Sequence, residues 1–236
     1  EAGRLPGGQV LLAQLLPGRA EFGGLATNLV RECELAGATI TLGSTVDRTL
    51  VDRLGPDAVI VATGGKPRWP AIEGRDSAHV VDAWQVLRGD ANVGQRVVIA
   101  DWRPDWIGIG IALKLAKDGC HVRLAVQGLH AGELLPWYVR DHAAGELHRA
   151  GIEIIPYARL YGIDGETAYF QHATSAEPII LEGLDTLVLA QGNERVNTLE
   201  DALADWPGEV QVIGDALTPR TAEEAVFEGL KAGMAV

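Results

Sequence analysis

The sequence predicts an α/β protein with parallel sheets and an antiparallel β-meander, and three observations carry that prediction. Runs of β-branched and apolar residues end in glycine at residues 57–65, 185–192 and in the Ile213-Gly214 step of 210–215; this is how a buried parallel strand reaching a ligand crevice reads. The stretch 96–126 spells strand, helix, strand, a βαβ unit. Short strand-like runs at 158–163, 167–172 and 179–182 then follow at meander spacing.

Taken in order, residues 22–36 have helical spacing and stop at Gly37, with a strand expected at 39–42. Strand 57–65 comes next, then strand 96–101, an irregular turn, a helix over 109–117, the turn Asp118-Gly119-Cys120 and strand 121–126. A helix over 137–150 closes at Gly151, where a C-cap favours a residue with positive φ, and leads into strand 152–155. After the meander come strands 185–192 and 210–215 and a last helix over 222–236.

Composition narrows the function classes. The 236 residues are 47% hydrophobic and 22% charged, values of a globular chain rather than a disordered one. The net charge of -12 is spread with Lys and Arg interleaved, so no basic face is offered to nucleic acid. No apolar run approaches the ~20 residues that span a bilayer. Cys33 and Cys120 stand singly, without metal-ligand spacing, and are expected to be reduced, buried packing residues in a cytoplasmic protein. Glu1-Ala2-Gly3 shows no leader, and the chain is expected to be a fragment. No nucleophile elbow, paired catalytic carboxylates or Cys-His arrangement is visible, and His121, His130, His142, His148 and His172 have no ligand spacing. No catalytic or metal-ligating residue is therefore assigned.

The order of strand-ATG (Ala62-Thr63-Gly64), βαβ unit, meander, strand-AxG, strand-GD (Gly214-Asp215) and helix resembles the flavoproteins of the glutathione-reductase type, with two Rossmann-like nucleotide-binding domains. With Gly7-Gly8-Gln9 and Leu16-Pro17-Gly18-Arg19-Ala20-Glu21-Phe22, the chain is similar to a narrower family: the C-terminal domains of trimethylamine dehydrogenase, N-methylproline demethylase and 2,4-dienoyl-CoA reductase. The resemblance covers essentially the whole chain. It implies a split FAD- or ADP-binding domain formed by residues 1–82 and 207–236, with an NAD(P)-binding-like domain, 83–206, inserted. It also implies that the first βαβ of the split domain, with its GxGxxG loop, belongs about thirty residues upstream and is missing.

Candidate cofactor-binding residues follow. A carboxylate at a strand tip can accept from adenosine ribose hydroxyls, and Glu1 stands just ahead of the GGQ turn; a solvated terminus would carry the same residue. Asp215 follows Gly214 at a strand's carboxyl end, with the last helix aiming its N-terminus at the same crevice; a turn carboxylate is the bland alternative. The resemblance places Asp215 on the ribityl chain of FAD and adds Gly8, Gln9, Ala62, Thr63 and Gly64. Arg220 suits a pyrophosphate, and Thr221 with Glu224 reads as a capping box.

In the inserted domain the strand runs into Asp101-Trp102-Arg103-Pro104-Asp105-Trp106 where glycines normally touch a pyrophosphate, which argues against NAD(P)H binding. Trp102 and Trp106 are expected to plug the crevice or pack on a neighbour. A degenerate loop sides with the trimethylamine dehydrogenase group, whose resemblance implies FMN and a 4Fe-4S cluster on an absent N-terminal barrel region, an electron-transfer partner and a homo-oligomeric parent oxidising an N-methylated amine. Two rivals remain open: a fragment of an NADPH-dependent dienoyl-CoA or enoate reductase, and a purely structural nucleotide-binding module.

Overall fold

A computed structural model describes residues 1–77 and 79–236. In chain order the helices are α1 (Val10–Ala13), α2 (Phe22–Leu35), α3 (Arg48–Leu54), α4 (Ala83–Arg88), α5 (Trp106–Lys117), α6 (Trp137–Arg149), α7 (Thr198–Ala202) and α8 (Ala222–Ala235). The strands are β1 (Ala58–Val61), β2 (Gly65–Pro67), β3 (Val80–Asp82), β4 (Arg96–Asp101), β5 (His121–Val126), β6 (Glu153–Ile155), β7 (Ala158–Asp164), β8 (Thr167–His172), β9 (Pro178–Leu181), β10 (Thr186–Ala190), β11 (Asn193–Arg195) and β12 (Glu209–Val212). The α/β class with parallel sheets and a meander is as the sequence predicts.

The chain divides into two compact units: unit 1 is Glu1–Gln14, Arg19–Lys66 and Asn193–Val236, and unit 2 is Leu15–Gly18 and Pro67–Gly192. These boundaries differ from the 82/83 and 206/207 read from sequence. Strand β3 is the reason at the first of them, because its Val80, Val81 and Asp82 pair in parallel with β10 and so join the sheet of unit 2.

In unit 2 the described residues form a parallel sheet in the order β3-β10-β4-β5-β6. Every residue of β10 is buried, and so is every residue of β4 except Arg96, because a parallel sheet is covered on both faces. The meander β7-β8-β9 contributes Ala158, Ile163, Ala168, Phe170 and Leu181 to the same core as Val98, Leu187 and Leu189 of the sheet. Helix α5 buries Ile109, Ile111, Ala112 and Leu115. It begins at Trp106, three residues earlier than its apolar periodicity predicts, because the Asp105 carboxylate accepts from the Ile107 N–H at 2.8 Å and caps the first turn. Leu16 is only 6% exposed and lies so close to Gly110 that a Cβ there would come within 2.7 Å of it, which makes Leu16 a core residue of this unit.

In unit 1, β1 and β12 pair in parallel with Ala58 opposite Glu209 and Val61 opposite Val212. Val51, Val61, Leu199, Leu203 and Ala216 form its core, flanked by Val59, Trp206, Val210 and Val212. Asp47 caps α3 by accepting from the Leu50 N–H at 2.8 Å. The strand expected at 39–42 does not form: the chain there is tied to the irregular opening segment, through the Glu1 ammonium to Thr41 O at 3.1 Å, Gly43 N–H to Gly3 O and Ser44 N–H to Glu1 O, and a strand needs a regular neighbouring ladder. Cys33 is exposed, contrary to the expectation of burial, because α2 buries none of its residues; Cys120 is half-buried. No helix among the described residues is long and apolar enough to cross a membrane.

Candidate functional site

The candidate site in unit 1 gathers at the carboxyl ends of β1 and β12. The ladder continues one step past β12, as the Ile213 N–H donates to Val61 O at 3.0 Å, so the segments after the two strands leave side by side. After β1, the Thr63 hydroxyl donates to Val196 O at 2.6 Å and the Val196 N–H donates to Gly64 O at 3.0 Å, which fixes the Ala62-Thr63-Gly64 turn. After β12, Gly214 takes φ 61°, a conformation only glycine adopts freely, and swings Asp215 into a 3₁₀ turn. A Cβ at Gly65 would lie 3.5 Å from the Asp215 Cβ, so the two expected motifs, ATG and GD, share one edge.

Gln9 completes the cluster. Gly7 at φ 124° and Gly8 at φ 49° fold the chain back ahead of α1. The Gln9 carboxamide then donates to the Asp215 carboxylate at 2.8 Å and accepts from the Asn193 amide at 2.6 Å. Asp215 also accepts from the Arg220 N–H at 3.1 Å. Asn193, Gln9 and Asp215 thus form one hydrogen-bonded row.

Other expected residues sit differently. The Glu1 carboxylate accepts from the Gly3 N–H at 2.7 Å, and among the described residues no hydrogen bond or ion pair joins it to Gln9 or Asp215. The Arg220 guanidinium pairs with Glu228, which also accepts from the Gly214 N–H at 2.7 Å; together these donors hold the Glu228 carboxyl below its usual range, Arg220 foremost. The Thr221 N–H and hydroxyl both donate to Glu224, whose carboxyl is lowered chiefly by that hydroxyl. The set therefore fits the hydroxyl-bearing part of a nucleotide, since Asp215 and Gln9 offer acceptor and amide side by side. For phosphate it offers less, because both Gly214 N–H and Arg220 already bind Glu228. A hollow of about 410 Å³ in unit 1, bordered by Glu200, Leu203, Trp206 and Val210, involves none of the expected residues.

In unit 2 the turn after β4 carries bulk rather than glycine. The Trp102 N–H donates to Ala190 O at 3.1 Å, and its ring, 43% exposed, lies under the Arg68 guanidinium at 4.7 Å. Asp105 occupies the N-terminus of α5, with Arg103 at 3.6 Å. Asp101, at the tip of β4, is 2% exposed, and its Oδ2 has no hydrogen-bond partner among the described residues. Burial pushes the Asp101 carboxyl well above its ordinary value, and the neighbouring Asp105 pushes it further; burial also raises Asp105. The described residues hold no cluster of three or more metal-capable side chains.

Comparison with known proteins gives no match to any family model. The chain is 28% identical over 255 residues to a metal reductase of Desulforamulus reducens, covering 94% of this chain and 37% of that protein. It is 24% identical over 276 residues to an N,N-dimethylglycine/sarcosine dehydrogenase of Chromohalobacter salexigens, covering 98% and 39%. A solved 2-naphthoyl-CoA reductase complex superposes with a TM-score of 0.89 at 22% identity, over 100% of this chain and 35% of that one. The chain is homologous to part of the trimethylamine dehydrogenase-like flavoenzymes. It spans little more than a third of the length of the flavoenzymes it matches.

The sequence singles out Gln9, Gly64, Gly214 and Asp215, and the structure brings them to one edge. It did not single out Asn193 or Glu228. Asn193 stands directly after the strand-AxG motif, a position that was readable; Glu228 is one of several acids on α8, and only its contacts distinguish it.

Proposed function

We propose that the chain is the nucleotide-holding part of a flavin-dependent oxidoreductase of the N-demethylating amine dehydrogenase type, and that unit 1 binds FAD or ADP. The observation that carries this is the Asn193-Gln9-Asp215 row beside Gly64 and Gly214. Asp215 would accept from ribityl or ribose hydroxyls while Gln9 keeps the carboxylate oriented. Glu1, Gly8, Ala62, Thr63, Arg220 and Thr221 complete the proposed surroundings, the last two by shaping the loop ahead of α8. FMN and a 4Fe-4S cluster on a barrel region of the same polypeptide would supply the redox chemistry, with an electron-transfer protein as acceptor and a homo-oligomeric, cytoplasmic parent. A relative that is a dimethylglycine/sarcosine dehydrogenase supports an N-methylated amine as substrate.

The turn after β4 supports this reading over an NADPH-dependent reductase. A dinucleotide fold sets a pyrophosphate on the helix N-terminus, and here the Asp105 carboxylate holds that place. Calorimetric titration tests the choice. ADP or FAD is expected to bind with Kd below ~100 μM, weakened at least about tenfold by Asp215→Ala. Micromolar NADPH binding without ADP or FAD binding would transfer the chain to the reductase class. Binding of ADP but never of flavin would make the nucleotide structural.

A further inference from the structure

Unit 2 contains a cavity of about 360 Å³ among whose lining residues are Arg68, Trp102, Gln127, Arg159, Leu160 and Gln191. That volume falls within the ~300–1,000 Å³ of small-molecule sites. Its walls divide by chemistry. Leu160, Ile72 and Pro70 are among its apolar lining residues, and the indole of Trp102 carries the Arg68 guanidinium on its face at 4.7 Å.

The charge of the cavity comes from two arginines, Arg68 and Arg159. Neither Arg68 nor Arg159 has an acidic partner among the described residues, so no carboxylate competes with an anionic head group for either guanidinium. The Gln127 and Gln191 carboxamides also line the cavity, and the Gln191 amide donates to Ala100 O at 2.8 Å. Asp101, the acid in the wall, does not offset the arginines, since its burial favours the neutral form.

We propose that this cavity binds a small planar organic anion, a carboxylate or phosphate ester on an aromatic ring. Its charged head is held by Arg68 and Arg159, and its ring lies against Trp102 and Leu160. The guanidinium fork matches both head groups bidentately, and the apolar wall accepts the ring. This site is independent of the nucleotide row in unit 1.

Calorimetry of the whole chain with benzoate, phenyl phosphate and the neutral isostere benzamide tests it. At least one anion is expected to saturate with Kd below ~1 mM, at least about tenfold tighter than benzamide, and the better of the two identifies the head group. Arg159→Gln, at an exposed rim position, and Arg68→Gln are each expected to weaken the anion at least about fivefold. The surface substitution Arg149→Gln is expected to leave its binding unchanged, with folding checked by circular dichroism. The proposal is overturned if neither anion saturates by ~10 mM, if benzamide binds as well as the anions, or if both arginine variants bind like the parent.

Discussion

Gln9 donates a hydrogen bond of 2.8 Å to Asp215, a residue 206 positions away, and this contact ties the opening turn of the chain to the edge of the β1–β12 pair. The same carboxamide accepts from Asn193, so one side chain joins three segments of unit 1.

Replacing Gln9 by Leu removes donor and acceptor together and leaves Asn193 and Asp215 part-buried without that partner. Urea unfolding is expected to show a loss of about 1–3 kcal/mol, and ADP affinity is expected to fall with it. An unchanged midpoint would show that solvent replaces the row at no cost.

Asp101 makes unit 2 sensitive to rising pH. Its carboxyl is raised in the fold above an unfolded value of about 3.9, so the fold holds the proton more tightly. That contribution is complete below pH ~4 and is lost as pH climbs toward the folded value. Asp101→Asn keeps the shape without the charge, and it is expected to exceed the parent in stability by about 1 kcal/mol or more at pH 8, with the gap closing at pH 4. Denaturant midpoints at the two pH values check it.

Asp185 behaves in the opposite sense. Its hydrogen bond from the Arg96 side chain lowers its carboxyl to about 2, with the Arg96 backbone N–H adding to the effect. Stability from this pair is present above the unfolded value and drains away as pH falls through about 2. Asp185→Asn is expected to flatten the acid limb of the stability curve while leaving its alkaline limb alone; carboxyl titration by NMR reads the lowered value directly.

Gly74 has φ 79°, and a Cβ there would sit 1.9 Å from the backbone oxygen of Ile163. Gly74→Ala is expected to cost about 2 kcal/mol or more, from both the left-handed backbone and the clash. Thermal unfolding measures it, with Gly119→Ala, at φ 93° but with open space around it, separating the backbone cost from the clash.

The cap of α8 gives a smaller effect. Glu224→Ala removes the acceptor of the Thr221 N–H and hydroxyl, and a small loss of stability is expected in denaturant unfolding.

The sequence by itself determined the elements whose signal is local. Strands β4, β5 and β8 have the bounds that their apolar runs predict, and α6 stops at Gly151, whose φ of 70° is the reason glycine stands there. It also determined the chemistry near the glycine motifs, because an acid after Gly214 and an amide after Gly7-Gly8 are legible wherever they end up. Tertiary structure alone decided the rest. The 39–42 run has strand composition and stays unladdered, since pairing depends on a neighbour that composition does not report. Residues 80–82 joined the sheet of unit 2 through β10, more than a hundred positions onward, which moved the boundary between the units. Gln9 meeting both Asn193 and Asp215 joins positions 184 and 206 residues apart, and the burial of Asp101 follows from the packing of the sheet. Periodicity records which face of an element is covered; what covers it, and which polar group it brings, is set only when the chain closes.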